Sequence, residues 1–408
     1  TTSWFEPVLF LSVLGIAIII NMGTNIIFGE ISFLSNALGA VLQLACSMDY
    51  SIFLLHAFTE EKANGAAPEQ AMANALRSAF ASIGASGATT IVGFLALALM
   101  RFGIGPDMGF VLAKGIFLSL VTVLLLMPAL ILRFQDVVDK TRHRPFIPGQ
   151  WRKFGEFAYK IRKPVMAVVL AIIIPCYVAQ GMADFTYGNE AVANSVGTPV
   201  YEAEQKMNAK VGQSNMMLAL VPLDGNVTEK AMSEEIADLP YVKYALGLAS
   251  ALPEGIPEEF LPGSVTGMLH SDNWARVIIN VRSAGESDEA FSYADEIRSI
   301  IDNYYPGEQT YLVGVTPSTQ DIKEVIVPDN QRVNLVSLLG VALVVAITYK
   351  SFLLPLVVLI PIEAAIFINT AMPYIYGQRT MYLGFIIVSC IQLGATIDYS
   401  ILLTGNYL

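Results

Sequence analysis

The sequence predicts a polytopic α-helical membrane protein, built on a parallel pseudo-twofold repeat of spans, with an α/β domain inserted between two of them. Three observations predict it. Of the 408 residues, 54% are hydrophobic and 14% charged, and the mean hydropathy of +0.55 lies well outside the range of soluble domains. Eight apolar segments of about spanning length are present. Finally, Gln43-Leu44-Ala45-Cys46-Ser47-Met48-Asp49-Tyr50-Ser51-Ile52 is echoed by Gln392-Leu393-Gly394-Ala395-Thr396-Ile397-Asp398-Tyr399-Ser400-Ile401.

Taken in order, residues 1–133 hold four spans, at 7–28, 32–58, 78–100 and 108–133. The 134–163 connection follows as a basic loop, with eight Lys/Arg against Asp136, Asp139 and Glu156. Short loops rich in Lys and Arg stay on the cytoplasmic side, so this loop is placed inside. A fifth span occupies 164–182, and residues 183–330 are hydrophilic. Between Asp184 and Asp329 there are 23 acidic and 8 basic residues, a net −15 against −11 for the whole chain. The rest of the chain is therefore basic, at +4. Alternating spans send 183–330 to the outer face of the cell membrane, and 331–408 supply three further spans, at 331–349, 353–376 and 380–407.

Within 183–330, Met216–Leu223 reads as a strand, Thr228–Asp238 as a helix and Val242–Ala249 as a strand. A second set follows, with a strand over Ala275–Val281, a helix over Asp288–Tyr304 and a strand over Gln309–Val315. This βαβ-βαβ order fits a ferredoxin-like split motif.

The repeat reaches beyond the acidic dipeptides. Matching Pro7 with Pro355 also matches Asn21 with Asn369 and Gly29 with Gly377, so two consecutive spans are duplicated in the same orientation. Parallel repeats recur in transporters, with coupling sites at the repeat interface. A carboxylate at bilayer depth is costly and marks an ion or proton path by default. Asp49 and Asp398 are thus the leading site residues, expected to approach one another on corresponding helices. The positions three and four before each Asp share its face, and Ala45, Cys46, Gly394 and Ala395 are all small. That face is expected to permit close helix contact. Tyr50 and Tyr399 flank the carboxylates and could each donate to the opposite one. Burial disfavours the charged form of a carboxyl, which lets such a group exchange protons near neutral pH.

Weaker candidates are Thr89 and Thr90 in the third span, where hydroxyls commonly bond back to their own helix, His56 two turns beyond Asp49, and Glu363 within the seventh span. Lys114 reads as snorkelling outward. The duplicated Asn21/Asn369 and Gln43/Gln392 read as interhelical hydrogen bonds. Cys46, Cys176 and Cys390 all fall in spans and read as small buried residues.

No zinc spacing, phosphate loop or catalytic triad signature stands out, so no metal, cofactor or enzymatic activity is expected. The acidic inserted domain speaks against nucleic-acid binding. Thr1-Thr2-Ser3-Trp4 enters a full-length span with no basic leader, and the chain stops soon after the second Asp-Tyr. It reads as a fragment of a larger transporter, or as a full protein with an unusual truncation.

At Ser47-Met48-Asp49-Tyr50-Ser51 and Thr396-Ile397-Asp398-Tyr399-Ser400 the chain resembles the resistance-nodulation-division (RND) superfamily, more specifically its MMPL branch. The resemblance covers the chain as the third to tenth of twelve helices, with 183–330 as the second extracytoplasmic porter domain. It implies export of hydrophobic or amphiphilic molecules, such as lipids or drugs, driven by the proton-motive force. Asp49, Tyr50, Asp398 and Tyr399 then match the proton-relay positions. Protons, membrane lipids and an amphiphilic substrate are the implied partners, and a homo-oligomer is compatible with this reading. Two alternatives share the architecture: a sterol- or lipid-sensing receptor, and an accessory subunit of protein secretion.

Overall fold

A computed structural model describes residues 3–143, 151–188, 198–223, 226–251, 262–271 and 273–407. Eight of its helices are long and apolar enough to cross a membrane. The chain divides into two compact units, one of Thr1–Asp184, Ile326–Gln378 and Leu383–Leu408, the other of Phe185–Val325 and Arg379–Tyr382.

The first unit opens with α1 (Glu6–Thr24), α2 (Phe33–Ala63), α3 (Pro68–Leu97), α4 (Ile104–Lys140) and α5 (Trp151–Gly181). Local chemistry sets the helix starts. The Ser32 side chain accepts from the Leu34 amide at 3.3 Å, capping α2, and Pro68 occupies the first turn of α3, where its missing N–H costs nothing. The expected 134–163 loop is helical at both ends, since α4 continues to Lys140 and α5 begins at Trp151. Its residues 144–150 lie outside the described residues. At 37 residues, α4 is about 55 Å long, more than a hydrocarbon core requires.

Small residues let α3 and α4 come together. A Cβ on Gly109 would stand 2.7 Å from the Ala98 nitrogen and 2.9 Å from the Phe94 oxygen, so only glycine permits this approach. Ala71, Ala75 and Ala79 are fully buried on the same helix. Polar contacts then fix the α1, α2 and α4 register. The Asn21 Nδ2 donates to Gln43 Oε1 at 2.9 Å, and Gln43 Nε2 donates to the Gly115 carbonyl and to Ser119 Oγ, both at 3.0 Å.

Lys114 departs from the outward snorkel. Its Nζ donates to the Asn21 carbonyl, Thr24 Oγ1 and Asn25 Oδ1 at 3.0, 3.0 and 2.7 Å. The C-terminus of α1 explains this, because its last carbonyls lack helical partners and its dipole favours a cation.

In the second unit, short β1 (Phe185–Thr186) precedes α6 (Pro199–Val211), β2 (Asn215–Pro222), α7 (Asn226–Ala237), β3 (Val242–Leu246), α8 (Leu248–Ala251), α9 (Gly263–Leu269), β4 (Trp274–Val281), α10 (Asp288–Tyr304) and β5 (Tyr311–Gly314). The sheet order is β3-β4-β2-β5, and all three pairings are antiparallel. Alternation along β2 sends Met217, Ala219 and Val221 into the core, where they meet Met232 and Ile236 of α7 and Ile297 and Ile301 of α10. Ser287 caps α10 by accepting from the Ala290 amide at 3.1 Å.

Strands β3 and β5 end sooner than their sequence suggests, as β2 does by one residue. The strand expected over Val242–Ala249 stops at Leu246, because the Gly247 amide donates to Ser250 Oγ at 2.9 Å and the chain turns into α8. The strand expected over Gln309–Val315 ends at Gly314, whose φ of +148° suits glycine and little else.

From Gly314 the chain enters α11 (Val315–Tyr349), which begins in the second unit and ends in the first as one helix. Then come α12 (Leu354–Tyr376), β6 (Thr380–Met381) and α13 (Tyr382–Tyr407). β6 pairs in parallel with β1, two-residue strands too short for sequence periodicity to reveal. In the first unit, α3, α11, α12 and α13 share an apolar cluster of Ala85, Val341, Leu359, Ile362, Leu393 and Ile397. α5 packs on α12, where Thr370 Oγ1 bonds Gln180 Oε1 at 2.8 Å.

Asp329 of α11 is fully buried and ties down the α3–α4 turn. Its Oδ2 accepts from the Arg101 and Phe102 amides at 2.6 and 3.2 Å, and its Oδ1 from Arg101 Nε at 3.2 Å. Arg332 reaches it only at 3.8 Å from an exposed position. Asp329→Ala is therefore expected to destabilise the first unit by about 3 kcal/mol, since charge-assisted bonds to buried amides are lost. Arg332→Ala should cost under about 1 kcal/mol. Thermal unfolding of the two variants in the same detergent checks the contrast.

Candidate functional site

Three helices build the site, and their sequences explain how they come so close. On α13, Gly394 lies one turn before Asp398 and has no side chain to hold a neighbour away. A Cβ built on Gly93 of α3 would lie 3.5 Å from the Gly394 Cα, so the two backbones nearly touch. The Thr90 hydroxyl, one turn earlier on α3, can then reach the Gly394 carbonyl at 3.0 Å and Asp398 Oδ1 at 3.4 Å. Its own helix competes for the same proton through the Ser86 carbonyl at 3.1 Å.

The third wall is α2. Tyr50 Oη donates to Asp398 Oδ2 at 3.4 Å across the repeat, and both side chains are buried, at 2% exposure each. The converse pair also lies close, with the Tyr399 hydroxyl interacting with the Asp49 carboxyl. The two carboxyls are near enough to interact electrostatically. Contacts of 3.4 Å are long for O–H···O bonds, so Asp398 is held by several loose donors rather than one tight one.

The two copies are not equivalent. Asp398 and Tyr50 are sealed by α3, whereas Asp49 is half-buried and Tyr399 is 60% exposed. The small-residue face is likewise used only in part, with Ala395 half-buried. Gly394 and Cys46 are buried, but Ala45 is exposed and supports no close contact.

Of the weaker candidates, Thr90 joins the site and the others do not. Thr89 bonds back to the Ser86 and Ala85 carbonyls at 2.6 and 3.3 Å, the ordinary behaviour of a helical threonine. His56 is exposed on α2, and Glu363 is half-buried on α12. Neither has a hydrogen-bond or ion-pair partner among the described residues. Sequence reasoning missed Ser86, a buried hydroxyl that lies beside both Asp398 and Tyr50. Its position four residues before Thr90, on the same helix face, was the available signal.

The duplicated amides fulfil their expected role, Asn369 Nδ2 donating to Gln392 Oε1 at 3.0 Å as Asn21 does to Gln43 at 2.9 Å. Cys46 and Cys390 are buried free thiols and Cys176 is half-buried.

The sequence profile of the MMPL family matches residues 3–165 and 196–407. The chain belongs to the MMPL family. It is 40% identical to a membrane protein of Methanocaldococcus jannaschii over 106 residues, 26% of each chain. A membrane protein of Streptomyces coelicolor is 23% identical over 303 residues, 71% of this chain and 40% of that one. Among solved structures, SecDF of Thermus thermophilus, a translocon-associated membrane protein, aligns over 98% of this chain and 50% of its own, with TM-score 0.56 and 14% identity. SecDF in its super-membrane-facing form aligns with TM-score 0.54, 14% identity, and 98% and 49% coverage. The chain thus spans about half or less of each of these proteins, and the SecDF likeness is one of fold. The MMPL membership implied by the Asp-Tyr motifs holds, and with it an integral multi-pass membrane protein.

The close approach at Gly394 sets a steric expectation. A Cβ there would meet Thr90 at 3.7 Å, an ordinary contact, so Gly394→Ala should be nearly neutral. Gly394→Leu should force α13 from α3 at a cost of about 1–3 kcal/mol. Thermal unfolding, read alongside cross-linking of cysteine pairs placed on α3 and α13, checks both.

Proposed function

We propose that the MMPL chain couples proton movement to export of hydrophobic or amphiphilic molecules, such as lipids or drugs, with Asp49, Tyr50, Asp398 and Tyr399 as the proton relay. The observation that carries this reading is the crossed arrangement, with Tyr50 donating to Asp398 of the other repeat and Tyr399 lying against Asp49. An apolar bundle core tolerates an ionisable acid poorly, and structural cohesion alone could use neutral amides, as Asn21–Gln43 does. Thr90 acts as a further hydroxyl donor to Asp398, and the Ser86 hydroxyl lies beside it. A proton arriving at Asp398 cancels its charge, relieves repulsion with Asp49 and changes which hydroxyls donate to it. One proton crossing about 100 mV supplies about 2.3 kcal/mol, enough to bias two conformations by a few tens of fold.

In this reading the two Asp-Tyr helices are related by a pseudo-twofold axis along the membrane normal, which the matching Asn–Gln bonds support. The second unit is a ferredoxin-like porter domain on the outer face of the cell membrane, which the strand order β3-β4-β2-β5 with its antiparallel pairings supports. Basic residues at the opposite connection favour the same orientation.

A second reading is favoured by the SecDF likeness: an accessory subunit that uses the proton gradient to assist protein secretion. Both readings need the relay, whereas a sterol- or lipid-sensing receptor does not. In liposomes carrying an imposed pH gradient, the protein is expected to conduct protons, with flux at least about tenfold lower in Asp398→Asn and in Asp49→Asn. Unchanged flux in both variants would sink the relay. Transport of a fluorescent lipid with the same dependence would favour export over assistance to secretion.

A further inference from the structure

The first turns of α5 differ in character from the rest of that helix. At 31 residues it is about 46 Å long, whereas about 20 residues cross the hydrocarbon core. Counted back from Gly181, the core ends near Arg162, and the turns before it belong to the boundary between lipid and water. Pro164 marks the change. It lies inside the helix and leaves the Lys160 carbonyl without its helical donor, a place where helices bend. From 151 to 163 there are five basic residues against Glu156 alone.

Helical spacing sorts this segment into two faces. At about 100° per residue, Phe154, Phe157, Ala158 and Ile161 fall within an arc of about 100°, with Lys163 opposite and Lys160 and Arg162 on the flanks. The apolar face has little protein on it, since Phe154 and Phe157 are 62% and 57% exposed. The basic side chains are equally open. Arg162 lies over the Tyr159 ring, 3.5 Å from its centre. Lys160 and Lys163 have no ion-pair or hydrogen-bond partner among the described residues. The retention of Lys and Arg on the cytoplasmic side accounts for the charges, but not for phenylalanines exposed in the same turns. A partner that presents an anionic layer above an apolar one matches both faces at once. A bilayer surface is built that way, and the span that follows already tethers the segment to it.

We infer that residues 151–163 form an interfacial helix that docks on anionic phospholipid. Phe154, Phe157 and Ile161 turn towards the acyl chains, and Lys160, Arg162 and Lys163 towards the phosphates. Pro164 permits the bend that lays the segment along the surface. The inference does not rest on the relay.

Spin labels at Phe157→Cys and at Lys163→Cys test it, in a Cys176→Ala background because Cys46 and Cys390 are buried. In vesicles of phosphatidylcholine containing phosphatidylglycerol, the label at 157 should be relaxed by oxygen and shielded from a water-soluble nickel chelate. The label at 163 should show the reverse. In phosphatidylcholine alone, the chelate should reach 157, as it should in anionic vesicles once Lys160→Gln and Lys163→Gln are combined. In native mass spectrometry each of these two substitutions should lower phosphatidylglycerol retention about fivefold, one basic residue's worth near an anionic surface, with phosphatidylcholine retention unchanged. All the substituted positions except Cys176 are exposed, so the fold survives their replacement. Chelate access at 157 in both kinds of vesicle would overturn the inference, leaving a solvated face. Shielding from both reagents whatever the lipid would also overturn it, assigning the apolar face to a protein surface. Equal oxygen access in both kinds of vesicle would remove the anionic partner, as would phosphatidylglycerol retention unaffected by either substitution.

Discussion

Asp398 is the constraint on which the membrane unit turns. A carboxyl nearly excluded from solvent inside an apolar bundle needs donors at close range, and here they come from two other helices. Tyr50 reaches it from α2 and Thr90 from α3, with the Ser86 hydroxyl beside them. For those donors to arrive, α3 and α13 must nearly touch, and they do so where Gly93 meets Gly394. The glycines, the hydroxyls and the acid are thus one device. The long 3.4 Å contacts leave the acid supported without locking it.

α3 links this device to the rest of the unit. Its face towards α13 carries the hydroxyls, its alanines and its glycine-permitted contact with α4 fix its depth, and the turn after it is gripped by the buried Asp329 of α11. α11 is also the helix that begins directly after β5 in the other unit. A change at Asp398 that shifts α3 would therefore be felt at Asp329 through packed helices with little slack.

The repeat is a symmetry of sequence and of some contacts, but not of environment. Asn21–Gln43 and Asn369–Gln392 form the same bond, yet the first amide pair is buried and extended by Gly115 and Ser119, and the second is more exposed. The same inequality separates Tyr50 from Tyr399. Equivalent residues therefore need not carry equal shares of a coupled reaction, because solvent access differs between them.

The sequence by itself determined the spans, the acidic α/β insertion, the duplicated Asp-Tyr helices, the family and the amide bonds within each repeat. These follow from hydropathy, charge and a repeated decapeptide, all local or periodic signals. Only the tertiary structure decided that Ser86 and Thr90 serve Asp398 while Thr89, His56 and Glu363 do not, that Lys114 turns inward to the end of α1, that Asp329 caps the α3–α4 turn, and that the two Asp-Tyr pairs differ in burial. Helical spacing fixes which residues share a face, but not which neighbour covers that face or how closely. That depends on contacts between helices far apart in the chain, where a missing Cβ or an unfilled carbonyl settles the outcome.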